Sequence, residues 1–374
     1  MKKLSFILLL FSAIITKGEG GFNHLTLQEA EQKINFSVPH YITNEWSGKV
    51  IDVEDGALSG DKKGKKTQLY DKHGPIFLGS DGLNQLWYII PSGLVDGKQT
   101  FRLLNAGYMN FLTARGSTEF SESLKGNDID NGNEQKWFIA QDDNNRSSGG
   151  FYFITAGLLR GNPLANYNHS KDNNARLAIL GFGTNTANHT NADFNFFISD
   201  YSVSASSHSG ITSGQARHAL IPKHAAIKCL DLKGGGTADN TAVQLWDAFN
   251  NNPNEQWILP KHDVGVANRL FSIRSAVIAG NVKRHVMPLS NGQANGTPLV
   301  VKTATSFPDN RREELWLVLP VLRESGVYVL FSYNNSGKCM DVAGFGTANE
   351  TPIQLWTFEN NPNQKWSFKK LNKI

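Results

Sequence analysis

Three stretches of the chain carry the same ordered set: an aspartate, a glutamine two residues ahead of an aromatic, then an asparagine followed by an acid or amide. They are Asp52, Gln68, Tyr70, Asn84 and Gln85; Asp231, Gln244, Trp246, Asn254 and Glu255; and Asp341, Gln354, Trp356, Asn363 and Gln364. A short carboxylate accepts two hydroxyl protons in charge-assisted bonds of fixed geometry. An aromatic ring covers an apolar C–H face, and an asparagine amide both donates and accepts. Such a set suits a molecule with vicinal hydroxyls on one side and a C–H face on the other, as in a sugar. One isolated aspartate beside a turn more simply bonds local backbone N–H groups. Recurrence beside an aromatic and an asparagine favours ligand contact.

The elements that must position these residues recur as well. An acid or amide two residues before tryptophan appears at Gln85-Leu86-Trp87, Gln135-Lys136-Trp137, Glu255-Gln256-Trp257, Glu314-Leu315-Trp316 and Gln364-Lys365-Trp366. A worn copy is read at Asn195-Phe196-Phe197. The aromatic ends then lie 50, 60, 60, 59 and 50 residues apart, which divides the chain into six units. β-rich runs open the units, as in Phe101–Leu104, Phe151–Ile154, Phe271–Arg274 and Tyr328–Phe331, and turns with Gly or Asn follow. No sustained 3.6-residue periodicity follows the leader, so the chain reads as all-β. Three short-stranded units can close around one axis and hide their sheet edges, so six make two bodies. The tryptophans that close the units are expected in the core.

Length agrees: 374 residues suggest two or three domains at roughly 150 residues each. Charged residues make up 19%, and 35 glycines fit a turn-rich chain. The net charge of +4 is too small to argue for nucleic acid, and two cysteines make neither a disulfide scaffold nor a structural zinc site. Lys2 and Lys3, the apolar run Leu4–Ile15 and the small residues Thr16 and Gly18 read as a secretory signal over residues 1–18. The run is too short for a membrane span, which needs about 20 residues. A leader segment (19–38), a first body (39–201), a Ser/Gly-rich linker (202–214) and a second body (215–372) are expected to follow, in a secreted protein.

At these residues the sequence resembles the ricin-type lectin family, whose fold is a β-trefoil of three QxW repeats. The likeness is strongest in Lys228-Cys229-Leu230-Asp231 with Val243-Gln244-Leu245-Trp246 and Asn254-Glu255-Gln256-Trp257. It is matched in Lys338-Cys339-Met340-Asp341 with Ile353-Gln354-Leu355-Trp356 and Asn363-Gln364-Lys365-Trp366, Asp to Gln spanning 13 residues in both. The resemblance implies two tandem β-trefoils, the first degenerate, and a carbohydrate-binding role in which Asp, aromatic and Asn hold the sugar and a Gln orients the Asp. Galactose-type sugars are the ligands it implies.

On that reading units one, four and six keep the set. The first departs in its 16-residue Asp52-to-Gln68 span, and the fourth in Glu255, which stands where the family has Gln. Units two and three are structural. In the fifth, Pro288 is placed where Asp should be, with Val300 and Lys302 for the Gln and aromatic. The family often closes a disulfide within the repeat, but Ala248 and Phe358 stand in that neighbourhood, so Cys229 and Cys339 are read as buried small side chains rather than a mutual bridge.

The longer first-unit loop holds Asp61-Lys62-Lys63-Gly64-Lys65-Lys66, ordinarily a solvated face, which beside a sugar site can also meet an acidic glycan. Sequons start at Asn35, Asn145, Asn168, Asn188, Asn295, Asn334 and Asn349. No catalytic or metal motif is present, and the candidate aspartates lie one per unit, whereas a glycosidase sets two carboxyl groups roughly 5–10 Å apart. The expectation is therefore a non-enzymatic protein without cofactor or metal. Its partners are expected to be glycans or glycoproteins, with no nucleic acid and no membrane span, and cell-surface binding is open to it. Two alternatives stand beside it: a protein-interaction, toxin-targeting or inhibitor module with vestigial sugar sites, and a cryptic hydrolase.

Overall fold

A computed structural model describes residues 22–54, 65–73, 81–115, 120–124, 133–142, 149–157, 160–180, 191–201, 211–212, 214–248, 252–265, 268–277, 282–304 and 312–371. The signal segment, most of the lysine-rich loop and most of the linker lie outside the described residues, as do the sequons at Asn145 and Asn188. Nearly all regular structure is antiparallel strand, in one sheet of 13 strands and another of 14. The chain is two β-trefoils in tandem.

The five unit-closing tryptophans, Trp87, Trp137, Trp257, Trp316 and Trp366, are fully buried. Each indole also needs a partner for its N–H. Trp87 donates to Ile51 O at 3.0 Å, Trp137 to Leu112 O at 3.1 Å and Trp257 to Leu230 O at 2.9 Å. Trp316 donates to Val286 O at 3.1 Å and Trp366 to Met340 O at 3.2 Å. In three units the residue after the accepting carbonyl is Asp52, Asp231 or Asp341. The core thus pins the backbone immediately ahead of each aspartate.

Those aspartates sit in two-stranded hairpins: Val50–Val53 with Lys65–Tyr70, Lys228–Leu232 with Thr241–Asp247, and Lys338–Val342 with Ile353–Thr357. The register pairs Asp52 with Gln68, Asp231 with Gln244 and Asp341 with Gln354. Side chains alternate along a strand, so the aromatic two residues past each glutamine shares its face.

The same register corrects two assignments. Met287 follows the carbonyl that Trp316 holds and pairs with Val300, so Met287 occupies the aspartate position in the fifth unit. Pro288 pairs with Leu299 one residue further on, at the strand end where a missing N–H does least harm. In the third unit Phe196, fully buried, takes the closing tryptophan's place, whereas Phe197 is half-buried. The bond Glu45 N to Asn195 O there matches Lys223 N to Lys365 O beside Trp366. A Phe-Phe pair offers two candidates for one slot, and only burial selects between them.

Neighbouring units are laced alike in both trefoils. Lys49 donates to Asp71 at 2.7 Å and to Asn173 at 2.9 Å, and Asn173 Nδ2 donates to Asp71 at 2.8 Å. Lys228, Asp247 and Asn349 repeat this at 2.6, 2.7 and 2.8 Å. The Asn349 sequon is therefore used as a clasp between units. The other described sequons in the second body also act structurally: Asn295 accepts from Thr357 N at 2.9 Å, and Asn334, buried, donates to Gly292 O at 3.1 Å.

The leader segment is part of the first body. Phe22–His24 pairs with Trp137–Asp142, and the helix Leu27–Glu31 is capped by Thr26 and Glu29. Glu31, buried, accepts from Arg312 and from the Tyr333 hydroxyl, both at 2.8 Å and both in the second body. Gln99 and Asn335 exchange amide bonds at 2.8 and 2.9 Å, and Phe111 meets Phe358 edge to face at 6.2 Å. One cluster of buried apolar side chains runs across this contact.

Candidate functional site

In the sixth unit Gln354 Nε2 donates to Asp341 Oδ1 at 2.9 Å, and Asn363 Nδ2 donates to Oδ2 at 2.8 Å. Asn363 is itself fixed by a second bond to Val342 O at 2.9 Å. Trp356 is half-buried and sends its indole N–H to Glu359 Oε1 at 2.8 Å. Gln364 does not reach outward: it spans Thr357 O at 2.8 Å and Glu359 N at 2.7 Å, holding the turn that carries Glu359. Asp341 is only 3% exposed, and burial pushes its carboxyl up to about 6 against the lowering effect of the amide donors. Each carboxylate oxygen has further lone-pair capacity beyond one amide.

The first unit is built the same way despite its longer loop. Gln68 donates to Asp52 Oδ1 at 3.1 Å, while Asn84 and Gln85 both donate to Oδ2, at 2.8 and 3.0 Å. Gln85 also holds Asp71 O at 2.9 Å and His73 N at 3.0 Å. Tyr70 is half-buried, with the His73 ring 5.6 Å from its own. Burial raises the Asp52 carboxyl above its ordinary range. The extra loop residues leave this hairpin register unchanged.

The fourth unit is the incomplete one. Gln244 donates to Asp231 at 2.9 Å and Trp246 is half-buried. Asn254, however, does not complete the polar set: its side-chain amide lies over Gly235, while its backbone N–H is taken by Asn252 Oδ1 at 3.1 Å. Glu255 explains the change. It is buried, accepts from Asn252 at 3.0 Å and is close enough to Asp231 to add to the burial that pushes that carboxyl up to about 6. A carboxylate cannot donate to a second carboxylate as Gln85 does to Asp52.

The remaining units show what replaces the set. At the aspartate, glutamine and aromatic positions the second unit has Thr113 and Glu122 at the first two, and Gln135 donates to the Thr113 hydroxyl at 3.3 Å. The third has Ala165, Ala178 and Leu180, and the fifth Met287, Val300 and Lys302. In the fifth, Glu314 turns inward to His285 at 2.9 Å, both buried. Cys229 and Cys339 are free and buried opposite Trp246 and Trp356, and burial raises both thiols. Among the described residues no group of His, Cys, Asp and Glu is placed to hold a metal ion, and no helix is long and apolar enough to cross a membrane.

Residues 312–373 match the family model described as ricin-type beta-trefoil lectin domain-like. A search of curated proteins finds no match. Among solved structures the chain is similar to the Rhizoctonia solani agglutinin, at 18% identity over 43% of this chain and 98% of that one, TM-score 0.35. It is similar to the Macrolepiota procera ricin B-like lectin in complex with lactose, at 19% identity over 42% and 97%, TM-score 0.31. It is also similar to a mosquitocidal holotoxin, at 15% identity over 88% of this chain, TM-score 0.38, and spans about a third (34%) of that protein's length. The segment 312–373, with its sixth-unit site, is ricin-type β-trefoil lectin-like.

Proposed function

We propose that this is a secreted, non-enzymatic carbohydrate-binding protein that attaches multivalently to glycans, with galactose-type sugars as its ligands. The carrying observation is the sixth-unit constellation. Asp341 is oriented on one oxygen by Gln354 and on the other by Asn363, on the hairpin face that also carries half-buried Trp356. The same polar arrangement at Asp52 supports a second site. A sugar would meet a nearly desolvated carboxylate, where hydrogen bonds are strong, and a flat ring beside it. Single shallow sites give weak affinity, and two on one chain raise avidity by roughly 10²–10⁴ where the glycan spacing permits. The secreted location rests on the leader's composition, and the absence of catalysis on aspartates spread one per unit.

The test is a glycan array probed with the full chain and with Asp52→Ala plus Asp341→Ala. Galactoside binding by the parent and its loss in the variant, with circular dichroism unchanged, support the reading. Galactoside binding that survives the double change overturns these two sites, and a folded parent that binds no glycan favours a protein-contact module, for which the incomplete fourth unit is the supporting observation.

A further inference from the structure

Past the aspartate position the fourth, fifth and sixth units turn alike. The turns Lys233–Gly235, Leu289–Asn291 and Ala343–Phe345 each end on two left-handed residues. Their φ values are +60° and +62° at Gly234 and Gly235, +53° and +54° at Ser290 and Asn291, and +57° and +56° at Gly344 and Phe345. Glycine and asparagine enter this region readily, whereas a bulky side chain there is an outlier. The third unit also sets a ring at φ +54°, in His169. That ring is held by stacking on Trp46, with centroids 3.5 Å apart, and by a 2.8 Å bond to Asp193. Phe345 is not held in that way. It is 48% exposed and meets His224 only edge to face, with centroids 6.2 Å apart.

We propose that Phe345 is a positioning residue of the sixth-unit site, whose Cβ keeps the Asn363 amide on Asp341. That this bond serves a sugar rests on the reading above, but the positioning does not. The fourth unit shows the space in question. A Cβ on Gly235 would lie 2.6 Å from Asn254 Oδ1, well inside van der Waals contact. The Asn254 amide therefore fills the volume that a side chain at Gly235 would take.

The two turns have the same backbone. Leu232 and Val342 enter them at φ −88° and −86°, and Gly236 and Gly346 both leave at −59°. The closing bonds, Gly236 N to Lys233 O and Gly346 N to Ala343 O, are 3.1 and 3.0 Å. The Phe345 Cβ consequently stands in the volume that the amide enters in the fourth unit. Asn363 has no such exit. It is buried, where Asn254 is half-buried, and donates to Asp341 Oδ2 at 2.8 Å and Val342 O at 2.9 Å. Glu255 denies Asp231 a donor and Gly235 gives Asn254 somewhere else to lie; the sixth unit has Gln364 and Phe345 in their places. Backbone strain of this kind clusters at ligand sites, where the surroundings require it.

The experiment compares Phe345→Gly, which removes the Cβ, with Phe345→Ala, which keeps it, in the full chain. Glycine relieves the left-handed backbone, so Phe345→Gly is expected to melt within a few degrees of the parent. Two readings need no sugar: the Asn363 side-chain amide resonances and the Asp341 carboxyl titration. In Phe345→Gly the amide should move toward the shift of a free side chain. The Asp341 titration should rise by about half a pH unit, because a donor to its charged form is lost. Glu359, the acid that also acts on Asp341, is left in place. Lactose affinity, read at the Trp356 indole resonance, should fall about threefold or more as the competent orientation loses population. Phe345→Ala is expected to match the parent in all three. An Asn363 amide and Asp341 titration unmoved in Phe345→Gly overturn the proposal, as does an equal change in Phe345→Ala. A parent that takes no lactose fails the sugar reading, while the two sugar-free readings still decide the role of Phe345.

Discussion

Asn84 donates to the Oδ2 oxygen of Asp52 at 2.8 Å, in the unit whose Asp-to-Gln span is the longest of the three. The same bond joins Asn363 to Asp341 at 2.8 Å, whereas Asn254 makes no such bond to Asp231. The polar geometry therefore ranks units one and six above unit four. Hydrogen bonds to a charged group contribute about 1.5–3 kcal/mol. Asn363→Ala should weaken galactoside binding about tenfold or more in calorimetry, and Asn254→Ala should change it less than twofold.

Glu255 is the residue that separates the fourth unit from the other two. Glu255→Gln removes the buried negative charge that helps raise Asp231 and supplies a donor where Gln85 has one. The Asp231 carboxyl should then titrate nearer the ordinary carboxylate range, read by carbonyl NMR, and lactose stoichiometry should rise by about one site. An unchanged Asp231 titration would remove Glu255 as the cause.

Binding should fall in mild acid. Asp341 and Asp231 titrate near 6 because burial disfavours their charge, and the ionised form is the one that accepts two hydroxyl protons. Lactose affinity at the sixth unit is expected to hold above pH 7 and decline by up to about tenfold per pH unit below about 6. The stability sign is opposite. The folded state holds the Asp341 proton more tightly than the unfolded chain, so this group's contribution to stability is greatest at low pH and is lost as pH rises from about 4 to 6. Each tenfold difference in proton affinity between the two states is about 1.4 kcal/mol. Asp341→Ala should therefore abolish about 2 kcal/mol of that decline, read from urea unfolding at pH 4 and pH 7.

Two tryptophans of the sixth unit should behave differently when replaced. Trp366 is fully buried, and Trp366→Ala should cost about 3–5 kcal/mol of stability. Trp356→Ala should leave the melting transition within a few degrees and lower sugar affinity. Equal loss of stability in both would place Trp356 in the core instead.

The contact between the two trefoils is tight enough to test with one methyl group. Gly337 has φ +64° and a Cβ there would collide with the Ser92 hydroxyl. Gly337→Ala should therefore destabilise the chain by more than about 1 kcal/mol and separate its unfolding into two transitions in calorimetry. A single unshifted transition would show that the bodies do not unfold through this contact.

The six units, the two bodies and the buried tryptophans were legible because a closing indole must be both covered and hydrogen-bonded, which fixes its spacing. What sequence spacing misplaced was register. Pro288 and Met287 are adjacent, as are Phe196 and Phe197, and one residue's slip turns a side chain to the opposite face. The amide geometry at Asn254 was also out of reach, because it depends on a buried acid beside it. The stack of the His169 ring on Trp46 had no spacing signal at all, because it joins positions more than a hundred residues apart.

A saccharide held by Asp341 and Trp356 at once must perturb that indole and depend on that carboxylate. A lactose titration followed on the indole ¹⁵N–¹H resonances of the eight tryptophans reads both requirements together. Saturable shifts at Trp356, with Trp366 unmoved and the response abolished by Asp341→Ala, are the predicted result. Saturable lactose binding that leaves Trp356 unmoved, or a Trp356 response that persists in Asp341→Ala, would contradict it.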